Sequence, residues 1–324
     1  MEFVYSEEVI PGVYETHGLG KHIPLRIHKD PFKEIKGALR AQGDWARNVS
    51  PIKGYKGGLA EPYSFIRVTV PECLPNRLEI ISYANEFAFL YDDEMEGLDL
   101  KNLSEETATT GLLGTFGDIA LVHKTHSDMR PEKRLQAQIL SDMLAIDRER
   151  ALTTMRAWAT FVQLASRTRS APFETMEEYV PARVIDAGEL IWFGTLTFGM
   201  ALTIPSEEHD LCMELARSGY VVLGLTNDLY SWQKERDAAE RVGQDHVFNA
   251  IWVIMKERSI GEEEAKAICA DEIKRYLSEY CGIVDKTKSD PSLSKDLRAY
   301  VEAVKFSCIG NLVWSIYCPR YHDS

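Results

Sequence analysis

At 324 residues and 36.7 kDa, with 45% hydrophobic and 27% charged residues, the chain can build a large core and is neither disordered nor low-complexity. Fifty acidic residues against 37 basic ones leave a net charge of -13, and no Lys/Arg run concentrates the basic side chains, so nucleic acid is an unfavourable partner. Six scattered cysteines form no C-x-x-C pair, and the acidic N-terminus has no signal-like apolar stretch, which together predict reduced thiols in a cytoplasmic protein.

The first 75 residues carry turn signals in PGVYETHGLGKHIP, KGYKGGLAEP and PECLP, and predict short helices and loops wrapped on a core. From Arg77, the stretch RLEIISYANEFAFLYDDEME has apolar residues near a helical period. Further helical patterns cover 131–165, 176–202, 206–240, 245–257, 261–281 and 292–317. Ser206 followed by Glu207 and Glu208, Asp245, and Ser292 or Ser294 stand where helices should start. Residues 190–204, LIWFGTLTFGMALTI, are uncharged but shorter than the roughly 18–20 apolar residues of a membrane span, and predict a buried helix. The stretch VDKTKSDPSLSK at 284–295 reads as the connection before the last helix. No alternating strands, fixed-period repeat or Pro/Gly/Ser linker divides the chain, so residues 1–324 are expected to form one all-α domain.

Two oxygen-rich clusters carry the chemistry. In FLYDDEMEG, Asp92 and Glu96 are four apart and share a helix face, a foothold for a hard cation such as Mg2+ that prefers carboxylate and phosphate oxygens. In GLTNDLYSWQKERD, Asn227, Ser231 and Glu235 recur every fourth residue, drifting only about 80° around a helix from first to last. An amide oxygen, a hydroxyl and a carboxylate therefore line one stripe, which Tyr220, Leu223 and Gly224 continue with apolar or small groups. Lys234, beside the last of the three, can add positive charge for a phosphate.

The pairing of D-D-x-x-E at 92–96 with N-D-x-x-S-x-x-K-E at 227–235 resembles the paired metal-binding motifs of class I terpene synthases. Arg183, Asp186 and Ala187 in PARVIDAG resemble that family's diphosphate-sensor arginine, linker aspartate and effector position, and Arg320-Tyr321 in YCPRYH its C-terminal Arg-Tyr pair. YETHGLGKHIPLRIHKD and the segment ending in FAFLYDD are similar to the N-terminal cyclase domains of fungal chimeric synthases, in which a prenyltransferase domain follows. The chain is thus expected to be either a stand-alone cyclase or an excised cyclase domain, with the abrupt end favouring excision.

The resemblance implies a class I terpenoid synthase helical bundle around a central apolar cavity. It further implies ionisation of a linear prenyl diphosphate, of C20 or C25 length, followed by cyclisation of the carbocation. Three Mg2+ ions are implied, held by Asp92, Asn227, Ser231 and Glu235, with Asp93 and Glu96 beside them; Glu96 departs from the commoner final aspartate. Diphosphate contacts fall to Arg183, Asn227, Lys234, Arg320 and Tyr321. The linker Asp186 would connect Arg183 to a helix break at Ala187-Gly188, where glycine tolerates unusual backbone angles. A carbocation is best held by aromatic faces, and Phe65, Phe89, Trp192, Trp314 and Tyr317 are the candidate wall, with Phe87 a further one. Trp314, Tyr317 and Tyr321 are spaced as one helical face.

The loops around Arg320-Tyr321 and residues 97–118 are expected to order when metal and diphosphate bind. His123 and His126 have no third ligand in sequence reach, GLLGTFGD at 111–118 lacks the Lys-Ser/Thr end of a phosphate loop, and GEEEAK reads as a solvated helix face. A chain-elongating prenyltransferase would carry a second D-D-x-x-D where this chain has NDLYSWQKE, a proton-initiated cyclase would need D-x-D-D, and a non-catalytic scaffold would have lost the oxygen ligands.

Overall fold

The computed structural model describes residues 2–20, 23–96, 130–165, 168 and 172–322. The expectations for 97–118, for the glycine-rich 111–118 and for His123 and His126 lie outside the described residues. Among the described residues the protein is a helical bundle: α1 (Pro31–Asn48), α2 (Phe65–Thr69), α3 (Leu78–Glu96), α4 (Pro131–Ile146), α5 (Arg148–Ala165), α6 (Met176–Asp186), α7 (Glu189–Gly199), α8 (His209–Arg241), α9 (Ala250–Arg258), α10 (Glu262–Lys288) and α11 (Lys295–Tyr317). A small antiparallel pair, β1 (Ser6–Glu8) with β2 (Arg26–His28), sits at the N-terminus and was not legible in the sequence. The buried carboxylate of Glu72 accepts from the backbone N–H groups of Val4, Tyr5 and Ser6 and so pins this edge to the bundle.

The first 75 residues contain more than short helices, because α1 is 18 residues long. Asp30 caps it, its Oδ1 accepting from the N–H groups of Phe32 and Lys33, and Pro31 presets the first turn. Gly37 lets α1 approach α3 closely: a Cβ there would stand 2.2 Å from the Glu79 carbonyl oxygen. The apolar segment at 190–204 becomes the buried helix α7 with a turn after it, and no described helix is long and apolar enough to cross a membrane. α11, buried on almost all sides, is the central helix; α8, 33 residues long, packs beside it, with α10 packed on both.

Three expected boundaries shift. α9 is capped by Asn249, whose Oδ1 accepts from Ile251 N–H at 2.8 Å, while Asp245 lies on the surface beside His246. Helix α10 runs on to Lys288, so the connection to α11 is shorter than 284–295, and Ser294 rather than Ser292 caps α11. Ser206 opens a single tight turn ahead of α8 instead of capping it. α6 and α7 are separated at Gly188, whose φ of 85° is a left-handed conformation that favours glycine, so the helix break expected at Ala187-Gly188 is present.

Candidate active site

The last turn of α3 faces Lys234 in the C-terminal third of α8. Arg320, its side chain only 4% exposed in the turn after α11, forks onto Asp93 through Nη2 to Oδ1 at 2.7 Å and Nη1 to Oδ2 at 2.9 Å. Its second anchor is the Lys56 carbonyl, which accepts from Nη1 at 3.0 Å. Lys234 Nζ reaches Asp93 Oδ1 at 3.1 Å from the α8 side, so one carboxylate ties both walls together. Burial opposes ionisation of Asp93, but the hydrogen bonds and charges of Arg320 and Lys234 override it and hold the carboxyl below its usual range. Asp92 is more open, with its side chain 52% exposed and its Oδ2 3.5 Å from Arg320 Nη2. Glu96 ends α3, and its side chain falls outside the described part of the structure.

On α8, Asn227, Ser231 and Glu235 form the expected stripe. Ser231 Oγ lies 2.7 Å from both the Asn227 carbonyl oxygen and Glu235 Oε1. The Asn227 amide donates to the Tyr321 hydroxyl and accepts from Arg183 Nη2, so three of the proposed diphosphate contacts meet at one side chain. Burial, then the nearby charge of Asp228, raises the Glu235 carboxyl above its ordinary value, partly offset by Arg183 and by hydrogen bonds from Asn249 and Ser231. A desolvated carboxylate aligned with a hydroxyl and an amide oxygen is a hard, all-oxygen donor set, which fits a divalent cation such as Mg2+.

Arg183 stands over this stripe from α6. Its Nη1 pairs with Asp186 Oδ2 at 2.7 Å, and its Nε lies 2.8 Å from Asp228 Oδ1. Asp228 is fully buried and also accepts from the Tyr179 hydroxyl at 2.7 Å and Ala250 N–H at 3.1 Å. The absence of a side chain at Gly224 admits Arg183 and Ala187 against α8; a Cβ there would meet Arg183 Cγ at 3.2 Å and Ala187 Cβ at 3.5 Å.

Beneath the polar rim lies an aromatic cluster. Trp314 stacks on Phe89 at 5.6 Å, meets Phe65 edge-on at 4.7 Å and touches Tyr321 at 5.3 Å, and Phe65 also contacts Trp192 at 5.7 Å. Arg320 lies over the Phe89 ring, 4.9 Å from its centroid, which links the cluster to the acidic end of α3. Trp314 donates to the Gly58 carbonyl at 3.0 Å and Trp192 to Ser307 Oγ at 3.0 Å, so both indoles are fixed in orientation.

Two expectations fail here. Tyr317 is not part of this cluster: it packs on Tyr63 and accepts from Glu15 N–H, because α11 ends at Tyr317 and the chain turns before Tyr321. The Trp314–Tyr321 contact is consequently made across a turn and not along one helical face. Phe87 points the other way, against Trp45 and Tyr91.

Four contributors escaped the sequence reading. Asp228 and Tyr179 orient Arg183, Asn249 touches Glu235, and Glu86 accepts from Gly58 N–H at 2.9 Å, bracing the loop that holds Trp314 and Arg320. Asp228 was visible as the second letter of the N-D pair, but nothing in residue type distinguishes an inward aspartate from a solvated one.

A bundle whose mouth joins a carboxylate helix end, an Asn/Ser/Glu stripe and a cluster of cationic donors above aromatic rings has the architecture of class I terpenoid synthases. In fold it matches the crystal structure of aristolochene synthase from Penicillium roqueforti, with a TM-score of 0.69 at 18% identity, covering 89% of this chain and 96% of that one. The chain belongs to terpene synthase family 2, whose C-terminal metal-binding model matches residues 83–279. It is 45% identical over 323 residues to a bifunctional type I diterpene synthase from Aspergillus flavipes, covering 99% of this chain and 42% of that protein. It is 39% identical over 332 residues to a bifunctional sesterterpene synthase from Aspergillus aculeatus, covering 99% of this chain and 45% of that protein. The chain thus spans less than half the length of these relatives.

Proposed function

We propose that this chain is a Mg2+-dependent terpene cyclase that ionises a linear C20 or C25 prenyl diphosphate and closes the carbocation to a di- or sesterterpene hydrocarbon, releasing diphosphate. The observation that carries the reading is the tie across the mouth, where Lys234 of α8 and Arg320 after α11 converge on Asp93 of α3 directly above Phe89 and Trp314. Diterpene and sesterterpene synthases among the relatives support the two chain lengths.

Asp92 on one side and Asn227, Ser231 and Glu235 on the other would hold the metal, in three ions. The chemistry supplied by bound Mg2+ is neutralisation of charge on the departing diphosphate oxygens. Arg183, Lys234, Arg320 and the Tyr321 hydroxyl donate to the same oxygens, with each arginine presenting a planar fork. Asp186 holds Arg183 in register with Ala187 at the α6–α7 break, so that diphosphate capture would be felt at that break. Phe65, Phe89, Trp192 and Trp314 offer ring faces and edges but no nucleophile, which lets the cation rearrange before it loses a proton. A prenyltransferase domain fused to this one in a longer protein would supply the substrate, and the six free thiols, five of them buried, suit work in the cytoplasm.

Incubation with C15, C20 and C25 all-trans prenyl diphosphates, with and without Mg2+, tests the proposal by gas chromatography–mass spectrometry of the extracts. A cyclic hydrocarbon that needs Mg2+ and disappears in Asn227→Ala is expected. A longer linear prenyl diphosphate as product when isopentenyl diphosphate is added, or no hydrocarbon from any of the three in a folded sample, would refute it.

A further inference from the structure

We infer that Asn249 is a positioning residue for the metal ligand Glu235, selecting which carboxylate oxygen faces the cation; the inference rests on the cyclase reading above. Asn249 is fully buried and every polar group of its side chain is used. Its Nδ2 donates at 2.9 Å to Glu235 Oε2 and at 2.9 Å to the Asp228 carbonyl, while its Oδ1 caps α9 through Ile251 N–H. Helix geometry makes the double contact workable. Carbonyls point toward a helix C-terminus and side chains lean toward the N-terminus, so the carbonyl of residue 228 and the carboxylate of residue 235 converge from two turns apart.

The consequence is a division of labour between the two oxygens of Glu235. Asn249 occupies Oε2, which leaves Oε1, beside Ser231 Oγ, directed along the ligand stripe. The same residue is locked from its other side, because Ala250 N–H donates to Asp228 Oδ2, and Asp228 Oδ1 in turn faces Arg183 Nε. The Asn249 side chain therefore fixes a metal ligand, while the next backbone N–H holds the carboxylate behind the diphosphate sensor. Outer partners of this kind typically change metal affinity by about 10–100-fold when lost.

Capping and positioning can be separated by choice of variant, since serine and aspartate cap helices about as well as asparagine but neither can donate to both oxygens. The test is Mn2+ binding in the presence of inorganic diphosphate, followed by electron paramagnetic resonance, beside thermal unfolding of the apo protein. Asn249→Ser is expected to melt close to the wild-type protein while its half-saturating Mn2+ concentration rises roughly 10–100-fold. Asn249→Ala should show the same loss of binding with a lower melting point. Wild-type-like Mn2+ binding in folded Asn249→Ser overturns the inference, and if that variant does not fold, Asn249→Asp is judged by the same criterion. Glu235→Gln separates the two levels of argument. If it binds Mn2+ as the wild type does, the ligand assignment of the cyclase reading fails; if it loses Mn2+ while Asn249→Ser does not, only the role of Asn249 fails.

Discussion

Replacing a helical glycine by alanine should have opposite signs at Gly310 and Gly282, although both lie inside helices. At Gly282 on α10, an added Cβ meets nothing within 4 Å, so the change returns the ordinary helix preference of alanine, about 1 kcal/mol of stabilisation. At Gly310 on α11, the same atom would stand 2.1 Å from the Val68 carbonyl oxygen, 2.5 Å from Val68 C and 2.9 Å from Thr69 N. These are backbone atoms of α2 and cannot turn aside, so α2 must retreat by roughly 1 Å to restore van der Waals contact. Overpacking of this severity costs about 3 kcal/mol, which leaves a net loss of about 2 kcal/mol after the propensity gain. For a chain of this length the unfolding entropy is about 0.7 kcal/mol per degree, so Gly310→Ala should melt about 3 °C lower and Gly282→Ala about 1.5 °C higher. Because α2 begins with Phe65, 4.7 Å from Trp314, Gly310→Ala should also redistribute the hydrocarbon products, and Gly282→Ala should not. Calorimetry and product chromatography on the two variants decide the matter. A Gly310→Ala protein as stable as the parent, with an unchanged product profile, would refute the claim that the α2–α11 contact sets the position of Phe65 against Trp314.

Other perturbations have equally definite expectations. Glu34 is buried beneath α2, and burial pushes its carboxyl up to about 8 from 4.5, so it stays protonated in the folded protein while the unfolded chain ionises it. The folded state then binds the extra proton, and stability falls as pH rises from about 4.5 toward 8. Glu34→Gln should flatten that slope in urea unfolding at pH 5, 6.5 and 8, and parallel profiles would contradict it. Asp228→Asn removes one of the two buried carboxylates that face Arg183, leaving Asp186, and should cost about 1–3 kcal/mol by denaturant unfolding; a loss below about 0.5 kcal/mol would show the pair is not coupled as drawn. Arg320→Lys keeps the charge but loses the fork onto Asp93, and kcat/KM should fall about 30–100-fold; a change within about threefold would mean the fork is dispensable.

The parts of this molecule that were legible in its sequence are those governed by periodicity. A spacing of four placed Asn227, Ser231 and Glu235 on one stripe, because it follows from helix geometry within one segment, whereas the α6–α7 break was implied by the family resemblance and the periodicity alone runs through 176–202. The aromatic cluster was legible in part: Phe65, Phe89, Trp192 and Trp314 meet, yet Tyr317 does not, since the spacing argument assumed that α11 continues to Tyr321. The contacts between segments were not legible. The sequence suggests Asp245 as a helix start and the fold uses Asn249, because either residue type caps well and only packing decides which one turns inward. Nothing in the sequence singles out Glu34, Glu86 or Asp228 as buried acids, because the partners that make burial tolerable, Arg67 N–H, Gly58 N–H and Arg183, are 33, 28 and 45 positions away. What these residues share is that each holds a neighbouring segment by its backbone or its charge. The ligands can be read from one helix, whereas the groups that aim the ligands are supplied by another, and that second set exists only once the bundle has closed.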